Sequence, residues 1–492
     1  MKKILLLWGC FSVHLFAYAV TFDVDGIRYE IISQSDRTVS VAIIPKSVSY
    51  PSYSTYKGSF NIPETVKFND ITFSVIGIGT HAFSECMSLG SVILPSTIKF
   101  IGFGAFSYSS LESLTLPEGL DSIGAAAFCY SYLKEITLPA SLRKLESSVF
   151  NGCNYLSRVN ILSNNITSIP DATFDGCISL AETNIPESVI SIGNNAFMNT
   201  PNLSYIEIPS KVTKIGSSCF YKSGITSIII PDTVSELDGM MFYWCNNLKT
   251  VKLPSNLKSL SKQMFRRCSS LETIEIPDAI TSIPEYTFAE CTSLSEVKLP
   301  SSLQTIERNS FMECTNLSAI HIPEGVTKIM NEAFYNCNLS DIRFPTTLEN
   351  IGGWAFGLGE IKELVLPVSL KEIGSHAFGG KQLECVVCLN PTPCECEENI
   401  FKNETYLYAT LQVPQESMEL YKSTFPWKNF FNIEGHFISN IENLSNSTNH
   451  PVEQYINTNG EVSDKPFSGI NILRYKDGST KKAIFGIKGT YR

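Results

Sequence analysis

The sequence predicts a repeat solenoid, mainly β: a right-handed leucine-rich-repeat-like coil of about fourteen 22–24-residue rungs with parallel strands, plus small β modules at both ends. Three regularities predict it. Prolines closing "LP" or "IP" phrases recur at Pro95, Pro117, Pro139, Pro186, Pro209 and onward to Pro367, with Ser163 standing in once, at spacings of 22 or 23 and once 24. Eleven residues after each comes a phenylalanine: Phe106, Phe128, Phe150, Phe174, Phe197, Phe220, Phe242, Phe265, Phe288, Phe311, Phe334, Phe356 and Phe378, with Phe83 ahead of them. Six residues after the same origin there is always Ile or Leu, from Ile101 to Ile373.

Each recurrent type has a physical task. One coil cannot bury its apolar side alone, whereas stacked coils merge their Leu, Ile and Phe positions into a continuous core. The phrase "LSAIHIP" predicts a strand with Leu317, Ile320 and Ile322 inward and Ser318, Ala319 and His321 outward. Proline then ends the strand, because it has no N–H for a ladder. "VTKIG" predicts a second extended wall, and its glycine, as at Gly102, Gly124, Gly193, Gly216 and Gly374, suits a bend with positive φ. The phenylalanine fills the wide end of the coil, so the fourteen rings predict an aromatic spine. Three residues further on, cysteine recurs at Cys86, Cys153, Cys177, Cys245, Cys268, Cys291, Cys314 and Cys337, and Ser109, Ser131, Thr200 and Ser223 replace it elsewhere. That exchange fits a column of small, buried, weakly donating groups; a redox or metal column is the sharper alternative.

The I-G-x-x-A-F-x-x-C phrase resembles the bacterial leucine-rich repeat family named after the BspA surface antigens, common in Bacteroidetes, over roughly residues 60 to 435. The resemblance implies a surface or secreted protein, and relatives of this kind are associated with attachment to host matrix proteins and other bacteria. Residues 1–19 read as a signal peptide, with Lys2 and Lys3, an apolar run and Ala17-Tyr18-Ala19. Cys10 offers a weaker lipoprotein alternative. Residues 20–60 read as an N-terminal β cap with a hairpin turn at Asp25-Gly26. The solenoid is placed at 61–388, a closing rung and cap resembling the family's at 389–435, and a polar linker at 436–450. Residues 451–492, with hairpin cues at Asn459-Gly460 and Asp477-Gly478, resemble a small C-terminal β module that directs secretion in some exported proteins.

Composition narrows the function. Hydrophobic content of 43% against 17% charged residues excludes wholesale disorder. The formal charge of −10 becomes −12 once Lys2 and Lys3 leave with the signal, which disfavours nucleic acid and anionic lipid as partners. No segment after the signal is apolar enough to form a transmembrane helix, so none is expected in the mature chain. No nucleophile, Walker, zinc-protease or dinucleotide phrase is present, so no enzyme, cofactor or catalytic residue is expected. The one irregular cluster is "CVVCLNPTPCEC", in which Cys385, Cys388, Cys394 and Cys396 are candidate disulfides stapling the cap, with unpaired thiols or zinc as alternatives.

The outward middle strand position forms a surface row running from Thr115 to Val365. Within it Glu207, Lys252, Glu275, Lys298, His321 and Arg343, with Tyr205 in the rung of Glu207, form the candidate partner-binding face on what is expected to be a concave surface. The alternation of Lys252, Glu275 and Lys298 also fits plain cross-strand charge pairing. The expected function is an exported, adhesin-like, non-catalytic scaffold for protein–protein or cell–matrix interaction. Its partner would be a protein or glycan on host or neighbouring cells. The alternatives are a structural envelope component and an accessory to carbohydrate processing.

Overall fold

The computed structural model describes residues 20–47, 50–380 and 383–436, together with strands at 452–457, 462–463, 469–475 and 480–485. The signal-peptide segment lies outside the described residues. The chain forms a parallel-strand β-solenoid of about 16 turns with little helix, and it divides into two compact units, Met1–Ser188 and Val189–Arg492.

In the first unit an antiparallel hairpin joins Thr21–Val24 to Ile27–Ser33 around Asp25 and Gly26, both with positive φ (51° and 78°). This is the two-residue turn that matches strand twist. Thr38–Val41 then pairs parallel with Ile71–Ile78, on which Thr65–Phe68 folds back antiparallel. The sheet of the cap thus runs on past residue 60 and into the first coil. Phe100–Ile101, Ser122–Ile123 and Lys144–Leu145 continue it in parallel, one short strand per turn. On the other wall Glu135–Leu138 pairs with Arg158–Ile161, and that strand with Glu182–Thr183.

The second unit repeats both walls. Six short strands, Ser282–Ile283, Thr305–Ile306, Lys328–Ile329, Asn350–Ile351, Glu372–Ile373 and Glu395–Cys396, form one parallel ladder. The longer wall ends in a four-stranded parallel sheet of Glu363–Leu366, Cys385–Cys388, Thr410–Pro414 and Asn432–His436. The strands Val452–Asn457, Val462–Ser463, Gly469–Tyr475 and Thr480–Phe485 pair antiparallel. The turn residues Asn459-Gly460 and Asp477-Gly478 between them lie outside the described residues.

The spine phenylalanines are buried and stacked. In the first unit, rings from Phe83 to Phe174 follow one another at 5.2–5.7 Å with planes within 8°. In the second, rings from Phe197 to Phe378 stack at 5.1–5.8 Å. Phe401 adds one further ring 5.7 Å beyond Phe378. Tyr406, Trp427 and Phe430 pack around it at steep angles, 67–80° to its plane.

The bend glycines need a correction. Gly102, Gly124, Gly216 and Gly374 do not have positive φ. What requires a missing side chain there is stacking: a Cβ on Gly216 would fall 2.4 Å from the amide nitrogen of Asn194, and one on Gly124 would fall 2.9 Å from the carbonyl carbon of Gly102. The left-handed backbone lies instead on either side of the spine ring. Ala126, Ser148, Gln263 and Asn309 have positive φ two residues before it, and Tyr130, Lys222, Arg267 and Glu313 two residues after it. These turns direct the amides of every second residue to carbonyls of the next rung, as in Phe288 N–H to Ser310 (2.7 Å) and Glu290 N–H to Met312 (2.7 Å).

Candidate functional site

On the long wall the side chains alternate. Ile274, Val297, Ile320 and Ile342 are buried, while Glu275, Lys298, His321 and Arg343 face solvent. Parallel register sets Glu275 opposite Lys298, His321 opposite Arg343, and Lys252 opposite Ile229. Lys298 makes an ion pair with Glu275, whose carboxylate holds the ammonium pKa above its usual value. The observed pairing is therefore between Glu275 and Lys298, with Lys252 beside the exposed Ile229. A second line of pairs sits at the strand entrances, Lys249 with Glu272 (4.0 Å) and Lys362 with Glu384 (3.2 Å). Tyr205, 63% exposed, and Glu207 lie in an extended segment that joins the next strand through the Thr226 amide and the Ser204 carbonyl (3.0 Å).

Behind this wall the cysteine column has a definite role in the backbone. Cys153 donates to the carbonyl of Phe128 (2.9 Å), Cys177 to Phe150 (3.0 Å), Cys245 to Phe220 (2.8 Å), Cys268 to Phe242 (3.0 Å), Cys291 to Phe265 (3.0 Å), Cys314 to Phe288 (3.1 Å) and Cys337 to Phe311 (3.1 Å). Each thiol thus clips its rung to the spine residue of the rung before. Burial pushes the Cys153 and Cys245 thiols up to about 12, far from the thiolate that redox or metal chemistry needs. Ser131 and Ser223, which replace cysteine, lie 3.5 and 3.4 Å from the next thiol in the column.

In the cap, Cys388, Cys394 and Cys396 stand as thiols, the unpaired alternative to the stapling disulfides. Cys394 and Cys396 stand 3.8 Å apart, sulfur to sulfur, against about 2.05 Å for a bond. Cys385 and Cys388 are three residues apart on one strand and so point to opposite faces. Among the described residues, no group of three or more His, Cys, Asp or Glu is placed to hold a metal ion.

Sequence reasoning missed a charged and aromatic cluster on the turn edge. Glu290 accepts from Arg266 Nε and Nη2 (3.0 and 2.9 Å) and from Arg267 Nε (2.6 Å). The Arg267 guanidinium lies 4.5 Å from the centre of the Trp244 ring, with Lys222 4.8 Å from the same ring. All of these residues directly follow spine phenylalanines, so the phenylalanine register was the signal that could have gathered them. Their charges already face one another, which makes the cluster a brace between rungs.

A family model for the BspA-type leucine-rich repeat region matches residues 53–181, 167–295 and 281–408, in six copies. The chain belongs to this family. A leucine-rich repeat protein from Bacteroides ovatus shares the fold of this BspA-type chain, with 25% identity over 85% of it and 100% of that protein, at a TM-score of 0.57. The pneumococcal vaccine antigen PcpA is 20% identical over 85% of this chain and 99% of its own, at a TM-score of 0.42. A leucine-rich cell surface protein from Faecalibacterium prausnitzii is 24% identical over 61% of this chain and 93% of its own, at 0.38. A search of curated proteins gives no match. No helix among the described residues is long and apolar enough to cross a membrane.

Proposed function

We propose that this BspA-type protein is an exported, non-catalytic scaffold at the cell surface or in the surroundings, whose long strand wall docks an extended macromolecular partner. The observation that carries this reading is the row Glu275, Lys298, His321 and Arg343, displayed in strand register above buried Ile and Val. Backbone and core hold such a face rigid, so little order is lost on binding, and the surfaces of stacked repeats are commonly used in this way. The amino-terminal sequence pattern supports export.

The test is a joint reversal, Lys252→Glu, Glu275→Lys and Lys298→Glu, in the mature chain, used as bait for host and bacterial surface extracts beside the unaltered protein. Partners retained by the native face are expected to be lost, with the thermal midpoint nearly unchanged because all three side chains are exposed. An identical set of captured molecules would remove the strand row from the function.

A further inference from the structure

A second surface lies on the turn edge of the first unit, and its chemistry differs from that of the strand row. Met87, Tyr108, Tyr130, Tyr132, Asn154 and Tyr155 line an open groove of about 200 Å³. The Tyr108 and Tyr130 rings stack at 4.9 Å with planes 14° apart, and Tyr132 leans on Tyr155 at 5.2 Å. All four rings stay between 38% and 54% exposed.

The fold does not demand rings here. Tyr108 and Tyr130 occupy the left-handed position two residues past the spine phenylalanine, with φ of 54° and 55°. In other rungs that position holds residues as different as Gly152, Gly176, Asn199, Lys222, Trp244, Glu290 and Leu358, so the backbone sets no side-chain type there. Both tyrosines remain more than 40% exposed, so their rings are not held there by a place in the core. Gly152 in turn makes room for its neighbour: a Cβ there would fall 2.4 Å from a carbon of the Tyr130 ring. The groove is thus a shelf of aromatic faces edged by phenol hydroxyls and the Asn154 amide, and none of its lining residues is charged.

We propose that this shelf binds a neutral glycan chain. Sugar rings present apolar C–H faces bounded by hydroxyls, which match ring faces bounded by phenol and amide groups. The absence of charge from the lining, in a chain of net charge −10, complements an uncharged ligand. Nucleic acid or an acidic polysaccharide would need cations that the lining lacks. A protein anchor would be desolvated only on docking, so capture of a protein through these rings is the competing outcome that the test separates.

The experiment titrates the full chain calorimetrically with neutral hexasaccharides of glucose, xylose and mannose in β-1,4 linkage and of glucose in β-1,3 linkage, with heparin as the anionic comparison. At least one neutral chain is expected to bind. Tyr108→Ala with Tyr130→Ala should weaken it by about tenfold or more, the loss of two stacking faces, while Tyr108→Phe with Tyr130→Phe keeps most of the affinity. Gly152→Ala, which pushes the Tyr130 ring aside, should weaken it as well. Saturation-transfer NMR on the unaltered chain should show tyrosine ring protons in contact with sugar C–H groups, a readout that stands even if a variant fails to fold. Silence from every neutral chain, affinity undiminished by the alanine pair, or a preference for heparin would overturn the proposal. So would a protein captured through these tyrosines in the absence of any sugar binding. The strand-row reversal should leave sugar binding intact, which separates the two surfaces.

Discussion

Replacing Phe288 by alanine removes one ring from the middle of the second unit's column. The ring is fully buried and stacks on Phe265 at 5.4 Å and on Phe311 at 5.2 Å, so both of its faces lose a partner at once. Truncation of a buried phenylalanine costs about 3–5 kcal/mol. Rungs couple only to their neighbours, so the loss should stay local. Hydrogen exchange is the suitable assay, because the Phe288 amide donates to Ser310 (2.7 Å) and the Glu290 amide to Met312 (2.7 Å) across that interface. At about 1.4 kcal/mol per tenfold, protection of these amides should fall by roughly two to three and a half powers of ten. Amides near Phe356 should keep theirs. Unchanged protection at Phe288, or an equal loss along the whole unit, would refute the reasoning that the stacked column holds the rungs together pair by pair.

Three further outcomes are expected. A maleimide should miss Cys268, Cys291 and Cys314 in the native chain and reach them after denaturation; rapid native labelling would mean that the column is not sealed. Stability should also fall with rising pH above about 9, because unfolded thiols lose their protons near their ordinary pKa while folded Cys153 keeps its proton up to about 12. A flat alkaline profile would contradict the burial. Gly216→Ala should destabilise by about 1–3 kcal/mol through the clash with the Asn194 amide, measured by urea unfolding; a neutral result would show that the neighbouring rung yields freely.

The coil was legible because its period is set by side chains that must be apolar in every turn. Ile320 and Phe311 cannot be replaced by polar residues without opening the interior, so they repeat and can be counted. The left-handed turns were not legible, since Ala126, Tyr130, Gln263 and Trp244 share a backbone conformation and no chemistry. The thiol column could be read as buried but not as bonded, because its acceptor is a main-chain carbonyl one rung away. Phe401 was missed although it stands 23 residues after Phe378, because the anchoring proline has slipped by one: Asn390, in "LNP", stands eleven residues before it. The charged row could be placed on the outward face from alternation alone. Which of its members meet depends on strand register, and that appeared only with the backbone. The tyrosine shelf was missed for a related reason: Tyr108 and Tyr130 share a place in the repeat, but Tyr132 and Tyr155 do not, and the four meet only where successive turns lie against one another.

Trp427, Tyr406 and Phe430 stand edge-on to the last ring of the column. A second molecule approaching that end meets a finished lid rather than a bare ring, and cannot extend the pile by adding its own first turn. The aromatic column is closed to stacking at that tip, and what the tip still offers is the outer edge of the strand Asn432–His436, which among the described residues pairs only with Thr410–Pro414.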